Sequence, residues 1–358
     1  MNSVSPSAGG RGSDSGKRTA LLVVLFVLIA VIGLTYVKWW PYYQKAIKAA
    51  TQHSIGSSIV AGKEGAAPPP SWQAAWDYAK SYYKAVWQAA VLGIVLGSLV
   101  QVLIPRQWLL RVLGRTTFGS TLAGGIASLP GMMCTCCAAP LAVGLRKQRV
   151  SVGAALAFWL GNPVLNPATL IFMTFVLSWK FTLLRIGFGL LLVFGVSYFA
   201  NRFARGERVP DELLPERDAP QEERRPLAVR WLRAIGAMAV SVVPAYVVAV
   251  LVLGAARAWL FPAVGEANAN GVLAIVGFSV AGMLFVIPTA AEIPIIQSLQ
   301  SLGLGAGPAA ALLLTLPAVS LPSLLMVAKA FPPRVIGFVA ASVVVGGVAC
   351  GLAGWIFL

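Results

Sequence analysis

The sequence predicts an all-α integral membrane protein, an inverted-repeat bundle with two broken, re-entrant helical hairpins. Apolar residues make up 58% of the 358-residue chain and charged residues 11%, more apolar sequence than one soluble core hides. The apolar residues form blocks of about 20 residues, the length that crosses a bilayer. Two of these blocks have prolines near their centres, which predicts the broken hairpins. Prolines and glycines of the two blocks recur at a fixed spacing, which predicts the repeat.

The net charge of +16 is a topology signal, because the 28 Lys and Arg lie mainly in short connections between apolar blocks. We therefore expect a multi-pass protein of the inner (plasma) membrane whose partners are the lipid bilayer and a small-molecule solute, with no nucleic acid. The four cysteines lie inside apolar segments and are too few for a secreted disulfide scaffold, so they are interpreted as free thiols.

The first block follows a Ser- and Gly-rich start, residues 1–18, which we expect to be disordered. Residues 19–37 predict an uncleaved signal-anchor span, and a removed signal peptide is the alternative. Residues 38–84 predict a periplasmic surface loop, because their tryptophans favour the headgroup layer. His53 in this stretch is interpreted as a solvated loop residue.

The rest of the chain divides into a first repeat, residues 85–200, a charged cytoplasmic linker, 201–230, and a second repeat, 231–358. Each repeat holds a long apolar segment rich in small residues and interrupted by proline. Proline inside a helix removes a hydrogen bond and clashes with the preceding turn, so both segments are predicted to be broken. The helix-breaking or gating candidates are Pro130, Gly131 and Pro140 in the first segment and Pro288 and Pro294 in the second.

A shift of the chain by 154 residues, the difference between 140 and 294, superimposes the two repeats. It places Pro140 on Pro294 and Pro163 on Pro317. The positive-inside rule is satisfied if each broken segment enters and returns on one side, the first from the cytoplasm and the second from outside. Oppositely oriented repeats with broken helices are typical of transporters. The alternative is a plain nine-span bundle with proline kinks.

The densest chemical feature is a cluster of soft ligands at the first predicted break, between Pro130 and Pro140. It contains Met132, Met133, Cys134, Cys136 and Cys137. Sulfur ligands prefer copper(I), mercury, zinc or a trivalent metalloid, so the cluster favours a role facing the solute. The alternative is apolar packing, which is our interpretation of the isolated Cys350.

Glu292 is an acidic residue within the second broken segment. A charge in the bilayer centre costs about 2.5 to 3.5 kcal/mol on insertion scales, so Glu292 needs a cavity, a partner or a proton. We expect it to couple transport to protons or ions. The alternative is a carboxyl group satisfied by the unwound backbone of its own hairpin.

Polar residues and paired prolines follow each hairpin and predict a second pair of mid-membrane breaks. The substrate-binding candidates in these elements are Asn162, Asn166 and Ser320, beside the gating candidates Pro163, Pro167 and Pro317.

These motifs resemble the ArsP-type, or YraQ-like, permeases. The resemblance lies in Cys134-Thr135-Cys136 followed by Pro140 and Asn162-Pro163 in the first half. In the second half it lies in Pro288, Glu292, Pro294 and Pro317. It implies a membrane permease, the characterised members of which export trivalent organoarsenicals through cysteine-lined sites. It points to Cys134 and Cys136 as metalloid-binding thiols, and Cys137 has no place in the family pattern.

The sequence therefore predicts a permease that exports a small thiol-reactive solute, with trivalent (organo)arsenicals as the first candidates, by alternating access between two inverted repeats. The chain has no Gly-rich phosphate-binding motif, and we expect neither an enzyme nor a cofactor. The alternatives are a permease or channel for a different small solute, or a membrane thiol oxidoreductase.

Overall fold

The computed structural model describes residues 11–60, 67–204, 226–261 and 270–358. Throughout these residues the regular structure is helical, which confirms the all-α prediction. The helices are α1 Arg11–Leu34, α2 Trp40–Gln52, α3 Trp72–Leu103, α4 Arg106–Leu113, α5 Phe118–Ser128, α6 Thr135–Lys147, α7 Val152–Val164, α8 Pro167–Val176, α9 Trp179–Leu190, α10 Ser197–Phe203, α11 Leu227–Leu260, α12 Val272–Leu284, α13 Glu292–Ser301, α14 Ala306–Ala318, α15 Leu321–Val327 and α16 Pro333–Phe357.

Seven helical stretches of the described chain are long and apolar enough to cross a membrane. They confirm a multi-pass membrane protein. The stretches are Ala20–Gln52, Trp72–Leu103, Val152–Val176, Trp179–Phe203, Leu227–Leu260, Ala306–Val327 and Pro333–Phe357.

The N-terminal part differs from the sequence-based expectation. Residues 1–10 lie outside the described residues, but α1 already begins at Arg11, within the stretch expected to be disordered. A π-helical turn, Thr35–Trp39, joins α1 to α2, so residues 38–52 continue the first helix. The expected loop at 38–84 is thus helical at both ends, because α3 begins at Trp72. Most of the predicted linker, residues 205–225, lies outside the described residues.

Two short-helix hairpins occupy the positions predicted for the broken segments. In the first, α5 and α6 are joined by a 3-10 turn, Leu129–Gly131, and by Met132, whose φ of 47° is left-handed. In the second, α12 and α13 are joined by extended and turn residues, with Ala290 at a φ of 68°. The hairpins therefore break at Pro130 and Pro288.

The other two hairpin prolines lie inside helices, contrary to their assignment as breaks. Pro294 is the third residue of α13, within the first turn, where a missing N–H leaves no hydrogen bond unmade. Pro140 lies in the interior of α6. Its backbone packs against Gly97 of α3, where a Cβ atom would come within 2.8 Å of the Pro140 carbonyl group. Close packing on α3 therefore holds α6 helical through its proline.

The second pair of breaks falls directly after Pro163 and Pro317. Asn166 caps α8 by accepting hydrogen bonds from the backbone N–H groups of Ala168 and Thr169, at 3.1 and 3.3 Å. Ser320 and Ser323 form a capping box at the start of α15. Capping side chains satisfy the N–H groups that each break leaves free.

Helix bounds repeat with the predicted offset of 154 residues. Helix α7, Val152–Val164, corresponds to α14, Ala306–Ala318, and the span Trp179–Phe203 corresponds to Pro333–Phe357. These two elements therefore have the same order and length in both halves.

The opposite orientation of the halves stays a prediction, and contacts at the two ends of the span α7–α8 support it. Helix α6 ends at Lys147, beside the start of α7 at Val152. At the other end, His53 Nδ1 lies 2.8 Å from the Phe175 carbonyl oxygen. Gln297 of the second hairpin donates to the His53 carbonyl oxygen at 3.4 Å.

Candidate solute site between the two hairpins

A small cavity lies where the breaks of both halves meet. Its volume of about 10 Å³ is close to the minimum that holds one water molecule, so any larger solute requires the hairpins to separate. The lining residues are Cys134, Thr135, Pro163, Ile287, Pro288, Thr289, Ala290, Glu292, Leu316 and Pro317.

The cysteine cluster lies at the N-terminus of α6, on one wall of this cavity. Cys134 is the N-cap residue, and its Sγ atom lies 3.0 Å from that of Cys137, because residues three apart share one face of a helix. Cys136 does not face this pair. Its Sγ atom lies 3.5 Å from Ser320 Oγ, at the break of the other half. All three thiols are free and buried. The thiol paired with Cys134 is thus Cys137, and not Cys136 as the family pattern implied.

Glu292 forms a buried ion pair with Arg185 of α9. Arg185 Nη1 donates to Glu292 Oε1 at 2.6 Å, and both side chains are at most 1% exposed. Arg185 also donates to the carbonyl oxygens of Val164 and Pro163, at 3.0 and 2.7 Å. One guanidinium group thus joins the second hairpin to the α7–α8 break. The sequence analysis allowed Glu292 a partner, and Arg185 is that partner.

Lys38 brings a second cation to the site. Its Nζ atom donates to Tyr42 Oη at 3.0 Å and to Thr289 Oγ1 at 3.2 Å, and the side chain is 5% exposed. Trp39, the next residue, donates to the Pro130 carbonyl oxygen at 2.8 Å. The N-terminal helix is therefore packed against both hairpins.

Sequence reasoning missed both cations. The position of Arg185 could have indicated its role, because it is a basic residue in the middle of a predicted span and ionisable groups there are expected to have a partner. The position of Lys38 gave less indication of a buried role, because it lies at the end of an apolar run, where lysines commonly reach the membrane surface.

The remaining polar candidates stand at the breaks. Asn162 donates to the Phe158 carbonyl oxygen at 2.9 Å, and its Oδ1 atom has no hydrogen-bond partner among the described residues. The same holds for Asn166 Nδ2 and Glu292 Oε2. A solute-binding role for Asn162, Asn166 and Glu292 stays a prediction.

The donor set of the cavity wall contains two adjacent thiols, those of Cys134 and Cys137. In the part of the chain that the structure describes, no three His, Cys, Asp or Glu side chains are grouped as metal ligands. Cys350 lies in α16, where its thiol contacts the Ala310 carbonyl oxygen at 3.4 Å. It is packed between helices, as its isolation in the sequence suggested.

Seven helical stretches of the described chain that are long and apolar enough to cross a membrane define a multi-pass membrane protein. A family described as "Predicted permease", of the ArsP type, matches residues 71–354. The chain belongs to this ArsP-type, YraQ-like permease family.

Two relatives support the assignment. The chain is 54% identical to the UPF0718 protein YraQ of Escherichia coli (strain K12) over 328 residues, which cover 91% of this chain and 93% of YraQ. It is 23% identical to the UPF0718 protein MJ0584 of Methanocaldococcus jannaschii over 296 residues, 63% of this chain and 80% of that relative. No solved structure matches the chain significantly.

Proposed function

We propose that this permease exports a small thiol-reactive solute from the cytoplasm across the inner membrane, with trivalent arsenicals such as methylarsenite as the first candidates. One observation carries the proposal. The thiols of Cys134 and Cys137 lie 3.0 Å apart at a helix break, and Cys134 lines the cavity that both halves share. Two adjacent soft ligands are the donor set that a trivalent metalloid prefers.

Capture requires no oxidant. Methylarsenite carries two hydroxyl groups on arsenic, and each thiol forms one As–S bond while one As–O bond breaks. Each thiol proton leaves with a hydroxide as water, so two waters are released and arsenic stays trivalent. Release on the other side is the reverse reaction, driven by opening of the site to water.

Alternating access is the proposed route. The cavity of about 10 Å³ is too small for the solute, and its walls come from both halves. Separation of the halves on one side exposes the thiols to the cytoplasm, and separation on the other exposes them outward. In this scheme, Glu292 couples the movement to protons, because its Oε2 atom lies buried without a hydrogen-bond partner among the described residues.

Uptake of methylarsenite into everted membrane vesicles tests the proposal. A Cys134→Ser, Cys137→Ser double variant should accumulate at least tenfold less arsenic than the wild-type chain. The matched control is Cys350→Ser, which removes a buried thiol that does not line the cavity and should leave uptake unchanged. Equal uptake by the double variant and the wild type would contradict the proposal.

The same thiol pair favours a second candidate, a membrane thiol oxidoreductase. Cys134 and Cys137 have the Cys-x-x-Cys spacing and lie at a helix N-terminus. Reactive thiols of redox proteins commonly have both features. Thiol alkylation followed by a gel shift distinguishes the two functions. A disulfide between these residues that cycles with growth conditions favours the oxidoreductase, whereas thiols that remain reduced during arsenical export favour the permease.

A further inference from the structure

Lys38 is a buried cation whose counter-charge is missing from the described structure. The side chain is 5% exposed, and its Nζ atom contacts the hydroxyl groups of Tyr42 and Thr289. No carboxylate lies within ion-pair distance of Lys38 in residues 11–60, 67–204, 226–261 and 270–358. An ammonium group inside a membrane is retained only where a partner or a function compensates its desolvation.

The contact with Thr289 directs this charge toward the cavity. Thr289 lines the cavity, and its hydroxyl oxygen accepts a hydrogen bond from Lys38 at 3.2 Å. A hydroxyl group that accepts in this way keeps its own hydrogen for a second acceptor. Thr289 also faces the Cys134 thiol, so a hydrogen bond from its hydroxyl group to an acceptor beside that thiol would be strengthened by the ammonium group.

The other charges at the cavity do not compensate the positive charge of Lys38. Glu292 is neutralised by Arg185 at 2.6 Å, so this pair adds no net charge. The N-terminus of α6, whose N-cap residue Cys134 makes no side-chain cap, adds the positive end of a helix dipole on the same wall. The thiols thus lie in a positively charged environment.

We propose that Lys38, Thr289 and the first turn of α6 form an anion subsite beside the thiol pair, so that among thiol-reactive solutes the permease prefers those with a negative charge next to the reactive centre. The inference rests on the proposed function and names the charge class of its substrate. Lys38 lies outside residues 71–354, the part that matches the family. The cation of the subsite is therefore supplied by the N-terminal part of the chain, whereas Thr289 and α6 lie within the matched residues.

Two probes of equal thiol chemistry and different charge test the subsite, phenylarsine oxide and 4-carboxyphenylarsine oxide. Efflux of each is measured from proteoliposomes that contain the full-length chain. Lys38→Met should reduce efflux of the carboxylate probe about tenfold, the effect of losing roughly one charge-assisted hydrogen bond. Efflux of the neutral probe should change less than twofold, and Lys38→Arg should retain the preference for the carboxylate.

Lys48→Met is the matched control, because it removes an exposed lysine from α2, the helix that directly follows the turn containing Lys38, and should change efflux of neither probe. Equal loss of both probes in Lys38→Met would overturn the subsite, since Lys38 would then serve the thiols or the fold. Unchanged efflux of both probes in Lys38→Met would also overturn the subsite. If the wild-type chain exports neither probe, the proposed function fails together with the subsite, which separates that failure from one of the subsite alone.

Discussion

At the residue scale, the Arg185–Glu292 pair makes the strongest link between the halves. It is fully buried, and Arg185 also holds the carbonyl oxygens of Pro163 and Val164 at the α7–α8 break. Backbone carbonyls freed by a proline need such donors within a membrane. The guanidinium group therefore satisfies the break in one half and positions the carboxylate of the other.

The pair predicts strong non-additivity between its two members. Glu292→Gln and Arg185→Met should each destabilise the protein by about 3 to 5 kcal/mol, because each leaves one buried charge uncompensated. The double variant should lose less than the sum of the two. Thermal unfolding of the purified chain in detergent measures this, and additive losses would show that the ion pair does not couple the halves.

The same variant tests the coupling role of Glu292. If Glu292 carries the proton, a pH gradient should accelerate arsenical efflux from wild-type proteoliposomes and have no effect in Glu292→Gln. Efflux that is insensitive to the gradient in the wild type would instead favour a passive channel for a small solute.

At the element scale, glycines on α3 set how closely the first hairpin packs. A Cβ atom on Gly93 would overlap the Cys137 carbonyl oxygen, and one on Gly97 would lie 2.8 Å from the Pro140 carbonyl oxygen. Small residues at such positions let helices approach closely in membranes. Helix α3 thereby supports the turn of α6 that carries the thiols.

Gly97→Ala should therefore destabilise the protein by about 1 to 3 kcal/mol, the usual cost of overpacking. Gly187→Ala on α9 is the control, because no atom lies within 4 Å of the added Cβ and alanine is the better helix former. Thermal unfolding compares the two. An unchanged or raised midpoint for Gly97→Ala would show that α3 and α6 are not in tight contact.

Much of the architecture could be predicted at this scale. Proline and glycine change backbone geometry locally, so Pro130, Pro163 and the offset of 154 residues predicted where helices break and repeat. The contact partners of Lys38 and Arg185 could not be predicted. They depend on contacts 251 and 107 residues away in sequence, and hydrophobic patterning does not specify which neighbour a single charge meets.

At the scale of the whole molecule, the proposed alternating access requires movement of one half against the other. Leu316 lines the cavity and is 1% exposed, so a reagent in water reaches it only in an opened state. Leu183, in contrast, is 56% exposed on α9, on a surface that faces lipid in a membrane-spanning helix.

Leu316→Cys, in a chain whose four native cysteines are replaced by serine, should therefore react with a charged, membrane-impermeant methanethiosulfonate from either side of the membrane. The reason is that alternating access opens one cavity to each side in turn, and the measurement is labelling in everted and right-side-out vesicles. Leu183→Cys should react from neither side, because lipid excludes the charged reagent. Labelling of Leu316→Cys from a single side would contradict alternating access and restrict the opening to one face.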